Sequence, residues 1–231
     1  KQLYMKILKT IFFIGLMFTI LISCSKEDEI RYSCNKTINT WVKNNLSEIH
    51  QMSRGEWLHV SPSTSSAIYR AFTPQQRIQF WKDKLDEVMA MKWSKGELSH
   101  IKKVDNFISS HQDFFSEEKL TDDQLNELET FFYKWQKEGE SLFGWNAKVA
   151  ISIAGAGNRL KNTQGELISL SYTGNAPVVM KSAENCNCNT GMISDFCHDA
   201  PGPCENVNCE GSFRGCGWLF LQQCNGTCGG I

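Results

Sequence analysis

Eight of the ten cysteines fall between Cys186 and Cys228, in a segment that otherwise runs to glycine, asparagine and other polar residues. The 46 residues from Cys186 to Ile231 cannot bury much apolar surface, and chains of roughly 40 residues usually need disulfides or metal to fold. The intervals between successive cysteines are 1, 8, 6, 4, 6, 7 and 3 residues. Structural zinc sites favour cysteine pairs two to four residues apart; Cys186 and Cys188 are too close for that pattern, and Cys224 and Cys228 form a plausible knuckle. The expectation is therefore a disulfide framework among Cys186, Cys188, Cys197, Cys204, Cys209, Cys216, Cys224 and Cys228, with zinc as the competing account. No metal or other cofactor is expected, and the connectivity is open among 105 pairings.

Disulfides need an oxidising compartment, and the N-terminus supplies an export signal. Lys6 and Lys9 precede an apolar run, Ile11 to Ile22, of only twelve residues. That is too short for the ~20 residues of a membrane span, and a basic start with a short apolar stretch reads as a secretory signal peptide over residues 1–23. Its end, Leu21-Ile22-Ser23-Cys24, resembles the lipobox of bacterial lipoproteins, which implies lipidation at Cys24 and attachment to the membrane through that lipid. Residues 24–33 then form a linker. Its Ser25-Lys26-Glu27-Asp28-Glu29 looks like the surface-export signal of some Gram-negative lipoproteins, with a plain solvated linker as the alternative. The implied location is the outer membrane, with display at the cell surface.

Loss of residues 1–23 removes three lysines and no acid from 24 basic and 25 acidic side chains, leaving a net charge of −4. Such a balance does not favour a nucleic-acid partner, which would want a basic face. Residues 34–144 read as a helical body. Thr73, Pro74 and Gln76 make a capping box ahead of Ile78, Trp81, Leu85, Val88 and Met89, which share one helical face. Thr121 and Gln124 repeat the signature before Leu125, Leu128, Phe132 and Trp135, and Ser94 with Glu97 opens a third helix through Leu98, Ile101, Val104 and Ile108. An earlier helix carries Trp41, Val42, Leu46 and Ile49. The expected fold is mainly α, a small helical bundle followed by a small disulfide-rich C-terminal module at 186–231, with the body able to fold alone.

Residues 145–185 read as a mixed connection. Ala150 to Asn158 lacks the Lys-Ser/Thr pair of a phosphate loop and the third glycine of a dinucleotide fingerprint, so a turn after a short apolar segment is expected. Leu167 to Tyr172 alternates like a short strand. His50, His59, His100 and His111 are scattered, Asp83, Asp86 and Glu87 read as a solvated face, and Cys34 lacks any flanking nucleophile motif. Catalytic residues are not expected, and Cys34 is left as a buried thiol or a partner for one tail cysteine.

Three stretches of the tail, Cys186-Asn187-Cys188, Gly215-Cys216-Gly217-Trp218-Leu219-Phe220 and Cys224-Asn225-Gly226-Thr227-Cys228, resemble the family of fulvocin C-related proteins, which includes a small cysteine-rich bacteriocin. AIYRAFTPQQRIQFWKDKL and LTDDQ are similar to the helical segments that precede the cysteines in that family. The resemblance implies a bacteriocin-type effector acting on an envelope protein or glycan; the alternative is a non-toxic surface binding module on the same scaffold. Asp195, Asp199, Glu205 and Glu210 against Arg214 give the tail a net charge of −3, unlike cationic membrane-disrupting helices. A specific target would be met through Trp218, Leu219, Phe220 and Leu221, or through a loop such as His198 to Pro203. Trp218 and Phe220 are equally suited to a small core between disulfides.

Overall fold

The computed structural model describes residues 30–33, 35–116, 119–173, 175–178, 188–190, 204–206 and 212–228. The signal peptide, Cys24, the acidic linker, Cys34, Cys186, Cys197, His198 to Pro203 and Cys209 lie outside the described residues. Among those described there are eight α-helices: α1 (Lys36–Asn44), α2 (Leu46–Ile49), α3 (Arg54–Trp57), α4 (Pro62–Ala71), α5 (Pro74–Met89), α6 (Lys95–Ser110), α7 (Asp122–Phe143) and α8 (Ala147–Ala154). A 3₁₀ turn, Gln112–Phe115, joins α6 towards α7. Four short strands follow, β1 (Cys204–Glu205), β2 (Ser212–Cys216), β3 (Gln222–Cys224) and β4 (Thr227–Cys228), with a second 3₁₀ turn, Trp218–Phe220, between β2 and β3. The protein is thus mainly helical with a small disulfide-bearing C-terminal region. No helix among the described residues is long and apolar enough to cross a membrane.

Local sequence explains the helix starts. Thr73, Ser94 and Thr121 each accept from the backbone N–H three residues on, while Gln76, Glu97 and Gln124 reach back to the cap N–H. Ser53 and Glu56 form a fourth such box at the short α3. Gln76 also donates to the carbonyls of Ile49 (2.8 Å) and Met52 (3.2 Å), so one side chain closes the α5 cap and ties it to the end of α2.

Packing follows the predicted stripes. α5 lies against α6 and α8, and α7 packs on α6 and α8. Trp81, Leu85, Val88, Ile101, Val104, Ile108, Leu128, Phe132 and Trp135 are all buried. A reciprocal pair joins α6 to α7: the Trp135 indole N–H donates to the His100 carbonyl (3.0 Å), and His100 Nε2 lies 2.8 Å from the Trp135 carbonyl. The imidazole stacks on the Trp135 ring at 5.3 Å. Its Nε2 must carry a proton to donate there, which leaves Nδ1, 3.7 Å from Glu138, to accept the second proton.

Burial lowers the His100 pKa below its ordinary value, and the Trp135 carbonyl and Glu138 oppose that only in part. The unfolded chain therefore takes up the proton first as pH falls. Stability contributed by neutral His100 is complete above about pH 6.5 and is lost as pH drops through the folded-state pKa. The melting temperature is expected to fall between pH 7 and pH 5, and His100→Gln, which keeps an N–H donor without a titrating ring, should flatten that part of the profile.

One expectation needs correction. Leu167 to Tyr172 is not a strand: Leu167 makes an isolated bridge to Leu160, and Ile168 N–H donates to the Arg159 carbonyl at 2.8 Å. Alternation alone does not make a strand, because only one short stretch of neighbouring backbone lies alongside to pair with it. The C-terminal region packs on the bundle. Residues Arg31–Ile231 form one compact unit, and Trp218, Leu219 and Leu221 belong to the same apolar cluster as Trp81 and Trp135. The tail is too short to bury these side chains by itself, whereas the bundle offers them a slot.

Candidate functional site

The C-terminal hairpin is built by a bond and a turn. Cys216 and Cys224 form a disulfide that closes an eight-residue span, and β2 pairs with β3 across its base. Gly217 sits at φ +69°, with the Gln222 amide oxygen so close that a Cβ there would meet it at 1.9 Å. Only glycine lets Gln222 fold over the turn and accept from the Trp218 N–H at 2.9 Å. Leu219 (φ 51°) and Phe220 (φ 54°) then follow in the left-handed region, which costs an ordinary residue roughly 1–2 kcal/mol.

Packing of the tip offsets that strain. The Trp218 ring stacks on Phe132 at 4.6 Å and meets Trp135 edge-on at 6.2 Å. Phe220 contacts Tyr69 (5.0 Å), Trp81 (5.1 Å) and Phe80 (6.2 Å). Trp81 Nε1–H donates to the Tyr69 hydroxyl (3.0 Å), which donates to the Leu219 carbonyl (3.1 Å). Burial pushes the Tyr69 hydroxyl up to about 12, so it keeps the proton it donates. Gln222 adds a bond to Glu129 of α7 at 3.1 Å.

These contacts place the residues expected to meet a target. Trp218 (3 % exposed), Leu219 (0 %) and Leu221 (2 %) are core, and Phe220 is half-buried among helix aromatics. The slot between α4, α5 and α7 removes Trp218, Leu219 and Leu221 from water, while Phe220 keeps part of its surface. A second disulfide joins Cys188 to Cys204, and β1 pairs with β4 in the register Cys204 to Cys228. Two of the expected disulfides are therefore present among the described residues.

A buried charge centre on α5 was not visible in the sequence. Arg54, 4 % exposed, donates from Nε (3.3 Å) and Nη2 (3.0 Å) to the Gly157 carbonyl and pairs through Nη1 with Glu87 at 2.9 Å. Glu87, whose side chain is 37 % exposed, also holds Arg159 at 3.0 Å, so on the solvated face it bridges two guanidinium groups. Lys84 is wholly buried and donates to the Asn158 carbonyl. Burial first, and the charge of Arg54 second, push the Lys84 amine well below its usual range, with Glu87 acting in the opposite direction. Burial likewise lowers Arg54, against the bond to Glu87.

These cations satisfy carbonyls just beyond the C-terminus of α8, where the helix dipole favours positive charge. Gly157 lies between Trp57 and Phe80, and a Cβ there would meet Phe80 at 2.7 Å and Trp57 at 2.8 Å. The Gly155 to Asn158 turn, expected from the sequence, is thereby held against the bundle. Its Asn158 forms part of a groove of about 400 Å³ between Trp57, Leu58, Val60 and Ser65 on one side and Leu167 to Leu170 with Tyr172 on the other. Tyr172 is half exposed, and a hydrogen bond from Thr173 N–H to the His59 carbonyl (3.1 Å) holds the far wall. The groove falls in the volume range of small-ligand sites and mixes apolar side chains with hydroxyl and amide groups.

The histidines do not converge. His50 binds the Ala71 carbonyl (3.0 Å), His59 the Ser171 carbonyl (3.1 Å) and His111 the Glu127 carboxylate (3.0 Å), each on a different part of the surface. Asp83 accepts from Gln79 at 2.7 Å one turn away. Comparison with protein-family models, with curated proteins and with solved structures finds no match.

Proposed function

We propose that the protein is an exported lipoprotein, anchored through Cys24 in the outer membrane and displayed at the cell surface. Its compact unit serves as a non-enzymatic envelope-interaction module. Burial of Trp218, Leu219 and Leu221 in the helical core carries this reading. A tail released as a free toxin would take those side chains from the apolar surroundings that the helices give them and leave a slot in the body, so tail and body work together. The groove beside Asn158 offers a concave surface to an envelope protein or glycan.

The second reading is a bacteriocin-type effector with a specific envelope target, favoured by the fulvocin C-like cysteine array. On that reading the whole unit is the agent. Purified mature protein added to cells of related bacteria separates the two. Saturable binding to the cells without loss of viability supports the interaction module, dose-dependent killing supports the effector, and absence of both removes each. In producing cells, Cys24→Ala should abolish lipid labelling and release the protein from the membrane fraction; continued labelling would remove the anchor from either reading.

A further inference from the structure

The two described disulfides differ in their surroundings. Arg70 of α4 places Nη2 3.4 Å from Cys224 Sγ, while its Nε donates to the Arg214 carbonyl (3.1 Å) and its Nη1 to the Tyr32 carbonyl (2.9 Å). The guanidinium is thus fixed by backbone on two sides with its charge against one sulfur. The Cys216–Cys224 link also closes the shorter span, 8 residues against 16, so it restrains the unfolded chain less. It clasps the hairpin whose tip holds two consecutive non-glycine residues, Leu219 and Phe220, in the left-handed region.

We propose that Cys216–Cys224 is a redox latch, opened by a dithiol reductant to free the Trp218 to Leu221 tip. Cys216 and Cys224 are both buried, so attack follows local opening of the hairpin, after which a thiolate of the reductant attacks Cys216 Sγ. The S–S bond breaks and its electron pair goes to Cys224 Sγ, where Arg70 stabilises the departing thiolate until it takes a proton from water. The second thiol of the reductant then attacks the mixed disulfide and expels Cys216 as a thiol. The chain gains two thiols, and the reductant leaves as its own disulfide. Without the covalent clasp, only packing and hydrogen bonds hold the strained tip, and the hairpin opens more readily than the helices.

The test is graded reduction of the intact mature protein with dithiothreitol, followed by rapid alkylation, peptide mass mapping and hydrogen exchange. Cys216 and Cys224 are expected to label at a lower dithiol concentration than Cys188 and Cys204. Amides of residues 212–224 should then exchange faster, and those of α5 and α6, which lose the packing of Trp218, should do so by a smaller factor. Arg70→Met should raise the dithiol concentration at half-reduction of this pair by roughly tenfold, and Arg70→Lys by less. Labelling of Cys188 and Cys204 first or together with the pair would overturn the proposal. So would complete loss of helix protection in step with reduction, which would make the bond a structural staple. The wild-type order of labelling decides the matter even where an Arg70 variant does not fold.

Discussion

Trp218→Ala is expected to destabilise the helical bundle itself, by about 3–5 kcal/mol, although it changes a residue of the cysteine-rich tail. The indole is 3 % exposed, stacked on Phe132 of α7 and edge-on to Trp135. Truncation leaves a cavity facing two aromatic rings that are themselves held by α6 and α7 and cannot collapse into it. Total stabilities of domains run to roughly 5–15 kcal/mol, so the loss is a large share. Thermal melts followed by helical circular dichroism measure it directly. A tail folded on its own disulfides would give the opposite outcome, a helix transition unmoved by the substitution. The same physics bears on a chain cut before the tail, which would lose Trp218, Leu219 and Leu221 together.

Lys84→Met is expected to stabilise the protein at pH 7 by about 1–4 kcal/mol, the range seen when buried ionic groups are replaced by apolar ones of similar volume. Lys84 is wholly buried beside Arg54, a like charge, and its amine is held well below its usual pKa. The unfolded chain binds that proton up to a pH of about 10.4. Between the lowered folded value and that limit the unfolded state carries more protons, so stability rises with pH. Below the folded value both states are charged and the full penalty applies. Wild-type protein should therefore gain stability from pH 7 towards pH 10 relative to Lys84→Met, measured by denaturant midpoints across that interval. Methionine fills the space of the lysine stem and forfeits one hydrogen bond to the Asn158 carbonyl. A lower midpoint for the variant at pH 7 would mean that this bond and the anchoring of the Gly155 to Asn158 turn outweigh the buried amine.

Helix starts were legible in the sequence because a capping box is a contact between residues three apart. Thr73 and Gln76, Ser94 and Glu97, and Thr121 and Gln124 find each other whatever the rest of the chain does. The buried stripes through Trp81 and Trp135 were legible for the same reason, since 3.6-residue periodicity is a property of one helix. Clustered cysteines likewise announced disulfides, two of which are present among the described residues, but not which sulfurs would meet. Partners far apart in the chain left no such mark. Glu87 reads as one more acid on a polar helix face until Arg54 and Arg159 arrive from other elements. Trp218 suits a tail core or a target contact equally well, and only the slot beside Phe132 makes it part of the bundle. Local hydrogen-bond geometry and periodicity are written in adjacent residues. Which apolar surfaces close on one another depends on the free energy of burying them in the whole chain, and that is decided only when the helices and the tail are packed together.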